Sequence, residues 1–296
     1  MKNKTISLII FFLTICFCSC LKEHGRDKCM TDYYAIIEIK DKNYFNTKEI
    51  PGIALRDENL PFKQYVSNLS YHLHDLNSDK VVSKNPELMG ESVQQSILLA
   101  FPGVSDGAYK LSLFGNTDHP SELRNERSVY QLHPSKQESS DIYIATADLD
   151  FFPEFSPKHV QLQRAKGHLT ILMEGLPDSV DMIGMQIGPV YNETDQDLNY
   201  NAETEVEKTF TGLQYPSTRL SANIAPSPTG KSSVLRLALY KTAGDIEPFA
   251  YLPEIKVNMK RNTITALQID YKPEGGVEIW IYTEGGWIKL HDLGLQ

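Results

Sequence analysis

The sequence predicts an all-β chain built as two β-sandwiches in tandem. Three observations carry that expectation: many short segments rich in Val, Ile, Tyr and Phe, turn residues between them at modest spacing, and almost no helix-period pattern. Composition agrees. With 41% hydrophobic residues, 15 Tyr and 12 Phe, the 296-residue chain has apolar material for two cores.

Residues 1–19 read as a bacterial lipoprotein export signal. Lys2 and Lys4 form a basic start, residues 6–18 are apolar, and Ser19 is the small residue before Cys20. That run is shorter than the roughly 20 apolar residues a spanning helix needs. Cleavage is expected before Cys20, whose thiol would carry a diacylglycerol and whose freed amine would take a third acyl chain. One chain binds a membrane marginally, whereas two or more anchor stably. The alternative is an ordinary cleaved secretory signal, since Phe17 and Cys18 stand where aliphatic and small residues are usual.

Cleavage removes two lysines and no acids, so the formal charge moves from -9 to about -11. A chain this acidic is a poor partner for nucleic acid or anionic lipid. Cys16 and Cys18 leave with the signal and Cys20 is acylated, which leaves Cys29 without an internal disulfide partner. Cys29 reads as a small apolar residue at the start of the first strand.

After a polar tether, residues 20–28, the first sandwich is expected over 29–157. Residues 33–40 are aromatic and β-branched, hence a strand, and 43–61, with Pro51-Gly52, a loop. Residues 65–76 alternate, with Leu69, Tyr71 and Leu73 on one face and Ser70, His72 and His74 on a wet one. Further strands are expected at 80–83, 96–101, 109–114 and 142–147, and a helical turn within 119–131. Two prolines in 151–158 make a stiff connection, and the second sandwich is expected over 158–296. Its strands are placed at 160–164, 168–174, 182–189, 207–213, 220–224, 233–240, 254–259, 263–271, 277–282 and 287–290, with 192–204 as loop.

Chemistry-bearing patterns are scarce. There is no Gly-x-Ser-x-Gly, no phosphate-cradling glycine loop and no His-Glu-x-x-His. His72 and His74 share a face but lack the further ligands of a metal site. Asp195, Asp197, Asn199 and Asn201 alternate like calcium ligands, yet Tyr200 and Val206 stand where an EF-hand loop needs Gly and Glu. Asp148 and Asp150 share a strand face, which reads as solvated surface rather than a carboxylate pair across a cleft. Trp280 and Trp287 could stack a sugar, but core positions on an inward strand face are the preferred reading. No catalytic residue, metal or cofactor is expected. Asp178-Ser179-Val180 looks like a bacterial O-glycosylation acceptor, which makes Ser179 a candidate modification site.

Two stretches carry a resemblance. Residues 66–75, Val-Ser-Asn-Leu-Ser-Tyr-His-Leu-His-Asp, and 107–116, Gly-Ala-Tyr-Lys-Leu-Ser-Leu-Phe-Gly-Asn, are similar to the first-domain strands of the fimbrillin-associated anchor lipoproteins, anchor or minor subunits of fimbriae in Bacteroides-like bacteria. Asp141-Ile142-Tyr143 and the strand over 164–171 also fit, while His74 replaces the usual Phe. The resemblance implies two transthyretin-like sandwiches, lipid-anchored in the outer membrane and facing outward at the cell surface. The implied partners are fimbrial shaft or accessory subunits, met by strand exchange at a sheet edge or open groove. The competing expectation is a surface glycan-binding lipoprotein of a polysaccharide-uptake system.

Overall fold

The computed structural model describes residues 33–84, 94–124, 127–152, 156–272 and 276–294. They form an all-β protein with two short 3-10 turns, Phe62–Gln64 and Pro134–Lys136. Cys20 and Cys29 lie outside the described residues.

The first module contains β1 (Tyr33–Ile39), β2 (Leu69–Asp75), β3 (Lys80–Lys84), β4 (Ser96–Phe101) and β5 (Gly107–Gly115). A hairpin, β6 (Glu122–Arg124) and β7 (Arg127–Gln131), follows, then β8 (Tyr143–Phe151) and β9 (Lys158–Arg164). Seven of these strands run in the order β3-β2-β5-β8-β9-β1-β4. The strip curls over on itself, because Tyr71 on β2 meets Phe101 on β4 edge-on at 5.6 Å although four strands separate them in the order. Tyr33 stacks on Phe151 at 4.3 Å across the same core. Alternation explains β1, where Tyr33, Ala35, Ile37 and Ile39 all face inward and are buried. Strand β9, which the sequence reading assigns to the second half, lies between β1 and β8 in this first sheet.

The second module consists of β10 (Gly167–Glu174), β11 (Met182–Asp195), β12 (Tyr200–Thr211), β13 (Thr218–Ile224), β14 (Ser233–Tyr240), β15 (Ala250–Tyr251), β16 (Ile255–Val257), β17 (Ile264–Tyr271), β18 (Gly276–Thr283) and β19 (Gly286–Gly294). One sheet has the order β13-β10-β17-β18-β19. The other joins β12, β11 and β14, with β15 and β16 both on the far side of β14. Their inner faces enclose a core that includes Ile171, Met173, Ile183, Leu237 and Ile269.

Three expectations are corrected here. Residues 192–204 are the tip of a long hairpin rather than a plain loop, because β11 runs on to Asp195 and β12 begins at Tyr200. A register shift between Ile187 and Val190 bends β11, which lets its far end pair with β7. Within 119–131 stands the β6–β7 hairpin in place of a helical turn. Ser128 and Tyr130 are buried at a period of two, and the Tyr130 ring lies 6.0 Å from Phe114, so burial of this face overrides the local helix formers. The same hairpin covers the face of β2 expected to be wet. His72 is buried there, its Nδ1 2.7 Å from the Ser128 hydroxyl, while His74 meets Asp79 at 2.7 Å.

The modules are joined by a buried polar clasp at Arg164-Ala165-Lys166-Gly167. The Arg164 guanidinium donates to Asp141 at 2.7 Å and to the side-chain carbonyl of Asn262 at 2.7 Å, and lies 4.1 Å from the Tyr44 ring centroid. Arg261 donates to Asp41 at 3.2 Å and to the Arg164 carbonyl at 3.1 Å. Lys166, fully buried, donates to the Ser139 hydroxyl at 2.7 Å, and burial pushes its ammonium down to about 7. At Gly167 a Cβ would stand 2.2 Å from the Lys260 carbonyl oxygen, so only glycine fits.

Burial holds His72, His119, His133 and His168 below their ordinary 6.5. All four, like Lys166, are protonated more readily in the unfolded chain, so each makes stability rise with pH. The histidine part is lost as pH falls below 6.5, and the Lys166 penalty is relieved between about 7 and 10.5. Tyr130, pushed up to about 12 by burial, ionises first in the unfolded chain and reverses the trend above 10. The thermal midpoint should therefore climb from about pH 5 to 9 and fall beyond about 10.5. Lys166→Met should flatten the alkaline part of the climb. A level profile over that range would mean that these groups are solvated.

Candidate functional site

The two sheets of the second module do not end together. One stops at the short β15 and β16, interrupted by Pro253, because proline suits an edge and not a central strand. The other continues past β18 to the nine-residue β19. Among the described residues no strand pairs with the outer edge of β15, β16 or β19.

Side chains follow from this mismatch. Ile281 on β18 packs against the core, but its cross-strand neighbour on β19, Ile288, is 51% exposed, so the cover ends between them. At the edge of the other sheet Phe249 and Tyr251 are 46% and 69% exposed. Beside these two rings opens a cleft of about 570 Å³ lined by Leu239, Ala250, Leu252, Tyr271 and Val277, and no residue of β19 lines it. The Tyr271 hydroxyl is buried with no hydrogen-bond partner, and that burial raises its pKa. This open seam combines unpaired main-chain edges, half-exposed apolar side chains and one waiting hydroxyl donor. Such a combination suits an extended segment from another chain, which would bury edge and side chains together.

Solved structures repeat this architecture. A protein from Bacteroides thetaiotaomicron described as polysaccharide-binding superposes with a TM-score of 0.55 over 88% of this chain and 98% of its own, at 8% identity. A Bacteroides ovatus protein described as an adhesin gives 0.55 over 88% and 96%, at 12% identity. The chain shares their fold. The fimbrial anchor protein Mfa2 from Porphyromonas gingivalis aligns over 88% of this chain and 100% of its own, with a TM-score of 0.47 and 14% identity. No protein-family model matches the chain, and no curated protein does.

The residues singled out in the sequence fall in separate places. Ser179 is exposed in a turn on the lip of the seam. Asp148 and Asp150 are both exposed on β8. Asp195 is occupied by its own loop, accepting the N–H groups of Asp197 and Asn199 at 2.9 Å each, and by Arg127 at 3.1 Å. Trp280 and Trp287 are corrected. Their cross-strand partners Gln268 and Tyr282 place both on the outer face of their sheet, half-buried, not in the core. Trp280 lies under the Lys289 ammonium at 4.8 Å, and Trp287 packs against Tyr282 at 5.3 Å. Sequence reading missed the seam. Its one local signal is Pro248-Phe249-Ala250-Tyr251-Leu252-Pro253, an apolar run that the flanking prolines confine to an edge.

Proposed function

We propose that the chain is a minor fimbrial subunit, anchored in the outer membrane by lipid on Cys20, that anchors or initiates the filament by taking a strand of a neighbouring subunit into the seam of its second sandwich. The observation that carries the reading is that seam. An incoming strand would pair with β15, cover Phe249 and Tyr251, and offer a main-chain carbonyl to the Tyr271 hydroxyl. The fold shared with proteins described as adhesins supports a surface role, and the reading is that of a binding module without catalysis. Ser179 is proposed as an O-glycan acceptor, and a glycan there would stand at the mouth of the seam.

The test is genetic. Deleting the gene should give long filaments shed into the medium. Complementation with Cys20→Ala, or with Tyr251→Asp combined with Phe249→Lys, should fail to restore attachment, while the wild-type gene restores it. The two seam positions are exposed, so the double variant should fold. Filament attachment unchanged by the deletion would sink the reading. Attachment restored by the double variant would remove the seam from it. An intact mass that Ser179→Ala lowers by no more than the one oxygen lost would remove the glycan.

A further inference from the structure

A second concavity, of about 570 Å³, lies on the outer side of the second module and differs from the seam in chemistry. Its walls come from three places: the loop after β1, the connection between β16 and β17 with the start of β17, and the end of β18 with the turn into β19. The loop is held rigidly. Asn46 clamps the backbone of Ile264 from both sides, its amide donating to the carbonyl at 2.9 Å and its oxygen accepting the N–H at 2.9 Å. The Phe45 N–H donates to the Asn262 carbonyl at 2.9 Å, and Ile50 is buried against Ile264 and Ala266.

On that fixed frame the Phe45 ring is left 67% exposed. Tyr282 forms part of the wall and is backed by Trp287. Around these rings stand Glu49, Asn258, Lys260 and Glu284, four exposed polar side chains on the same cleft. An aromatic ring held open to water beside planar carboxylate and amide groups matches a sugar. The C–H face of a pyranose covers the ring, and the carboxylates and amide take paired hydroxyls, each acting as donor and acceptor. The volume is within the roughly 300–1,000 Å³ of small-ligand sites.

We infer that this cleft is a binding subsite for a neutral oligosaccharide, with Phe45 as the stacking platform and Glu49, Asn258 and Glu284 as hydroxyl partners. Neutrality follows from charge. Two carboxylates against one ammonium repel a sulfated or uronic chain. A peptide fits less well, because the Ile264 N–H and carbonyl that β17 turns toward the loop are already taken by Asn46. The inference is independent of the seam. It gives the glycan expectation a place other than the tryptophans themselves, since Trp287 acts from behind Tyr282 and Trp280 lines none of this cleft.

Affinity electrophoresis of the mature protein through gels containing mannan, dextran, galactan or neutral xylan tests it. At least one polysaccharide should retard the wild-type chain. Phe45→Ala and Asn258→Ala should each weaken that retardation at least about tenfold, with unchanged thermal midpoints, and Tyr251→Ala in the seam should leave it intact. No retardation by any of the four overturns the inference. So does retardation that survives both cleft variants, or binding confined to heparin or to a basic peptide. Filament anchorage lost through the seam with sugar binding retained, or the reverse, separates this site from the anchoring role.

Discussion

Arg164→Ala is expected to lower the unfolding free energy by about 3 kcal/mol in urea titration, the low end of what removing one partner of a buried ion pair costs. The pair with Asp141 is largely but not wholly enclosed, since the carboxylate side is 23% exposed, and solvent discounts the upper part of that range. The loss would not stop at one contact. Asn262 and Tyr143 would each lose the guanidinium as a donor, and the Tyr44 ring would lose the cation beneath it. Arg164→Lys should recover only part of the stability, because an ammonium keeps the charge but not the fork that serves Asp141 and Asn262 together. A loss below about 1 kcal/mol for the alanine variant would mean that the clasp adds no more than an exposed pair does.

Gly167→Ala should cost a similar amount, about 3 kcal/mol, by a different route. The added methyl would stand 2.2 Å from the Lys260 carbonyl oxygen and 3.0 Å from that of Thr263, and both obstacles are backbone. Neither can swing aside as a side chain would, so β10 and the turn before β17 would have to separate. Gly285→Ala, in the β18–β19 turn with nothing within 4 Å of the added carbon, is the matched control and should change stability little. Equal midpoints for the two variants would show that the junction relaxes freely.

Period-two burial was legible wherever one face of a strand meets one core. Tyr33 to Ile39, the Leu69–Tyr71–Leu73 stripe and the Leu235–Leu237–Leu239 stripe all lie where alternation puts them. What alternation could not reveal is which strands are covered twice. His72 looks like a solvent position within its own strand and is buried only because the β6–β7 hairpin, paired with the far end of β11, folds over it. The tryptophans mislead in the opposite sense, since a large apolar ring suggests a core, yet the loop carrying Ile50 gives Trp287 partial cover on an outer face. The seam is harder still. It consists of strands that fail to face each other, a property of two sheets compared across space and of no single segment. The clasp left only a faint trace, as two basic residues flank a small one between two apolar strands at Arg164-Ala165-Lys166.

The place of β1 has a mechanical meaning. The strand is held on both sides along its length, antiparallel to β4 through Tyr33–Glu38 and parallel to β9 through Ala35–Ile39. Tension arriving at Tyr33 from the N-terminal direction therefore drags an interior strand lengthwise between two neighbours. Rungs on either side must rupture together in shear, whereas a strand tugged at right angles from a border peels off one rung at a time. A body loaded this way resists a steady pull at the end by which the chain would be moored.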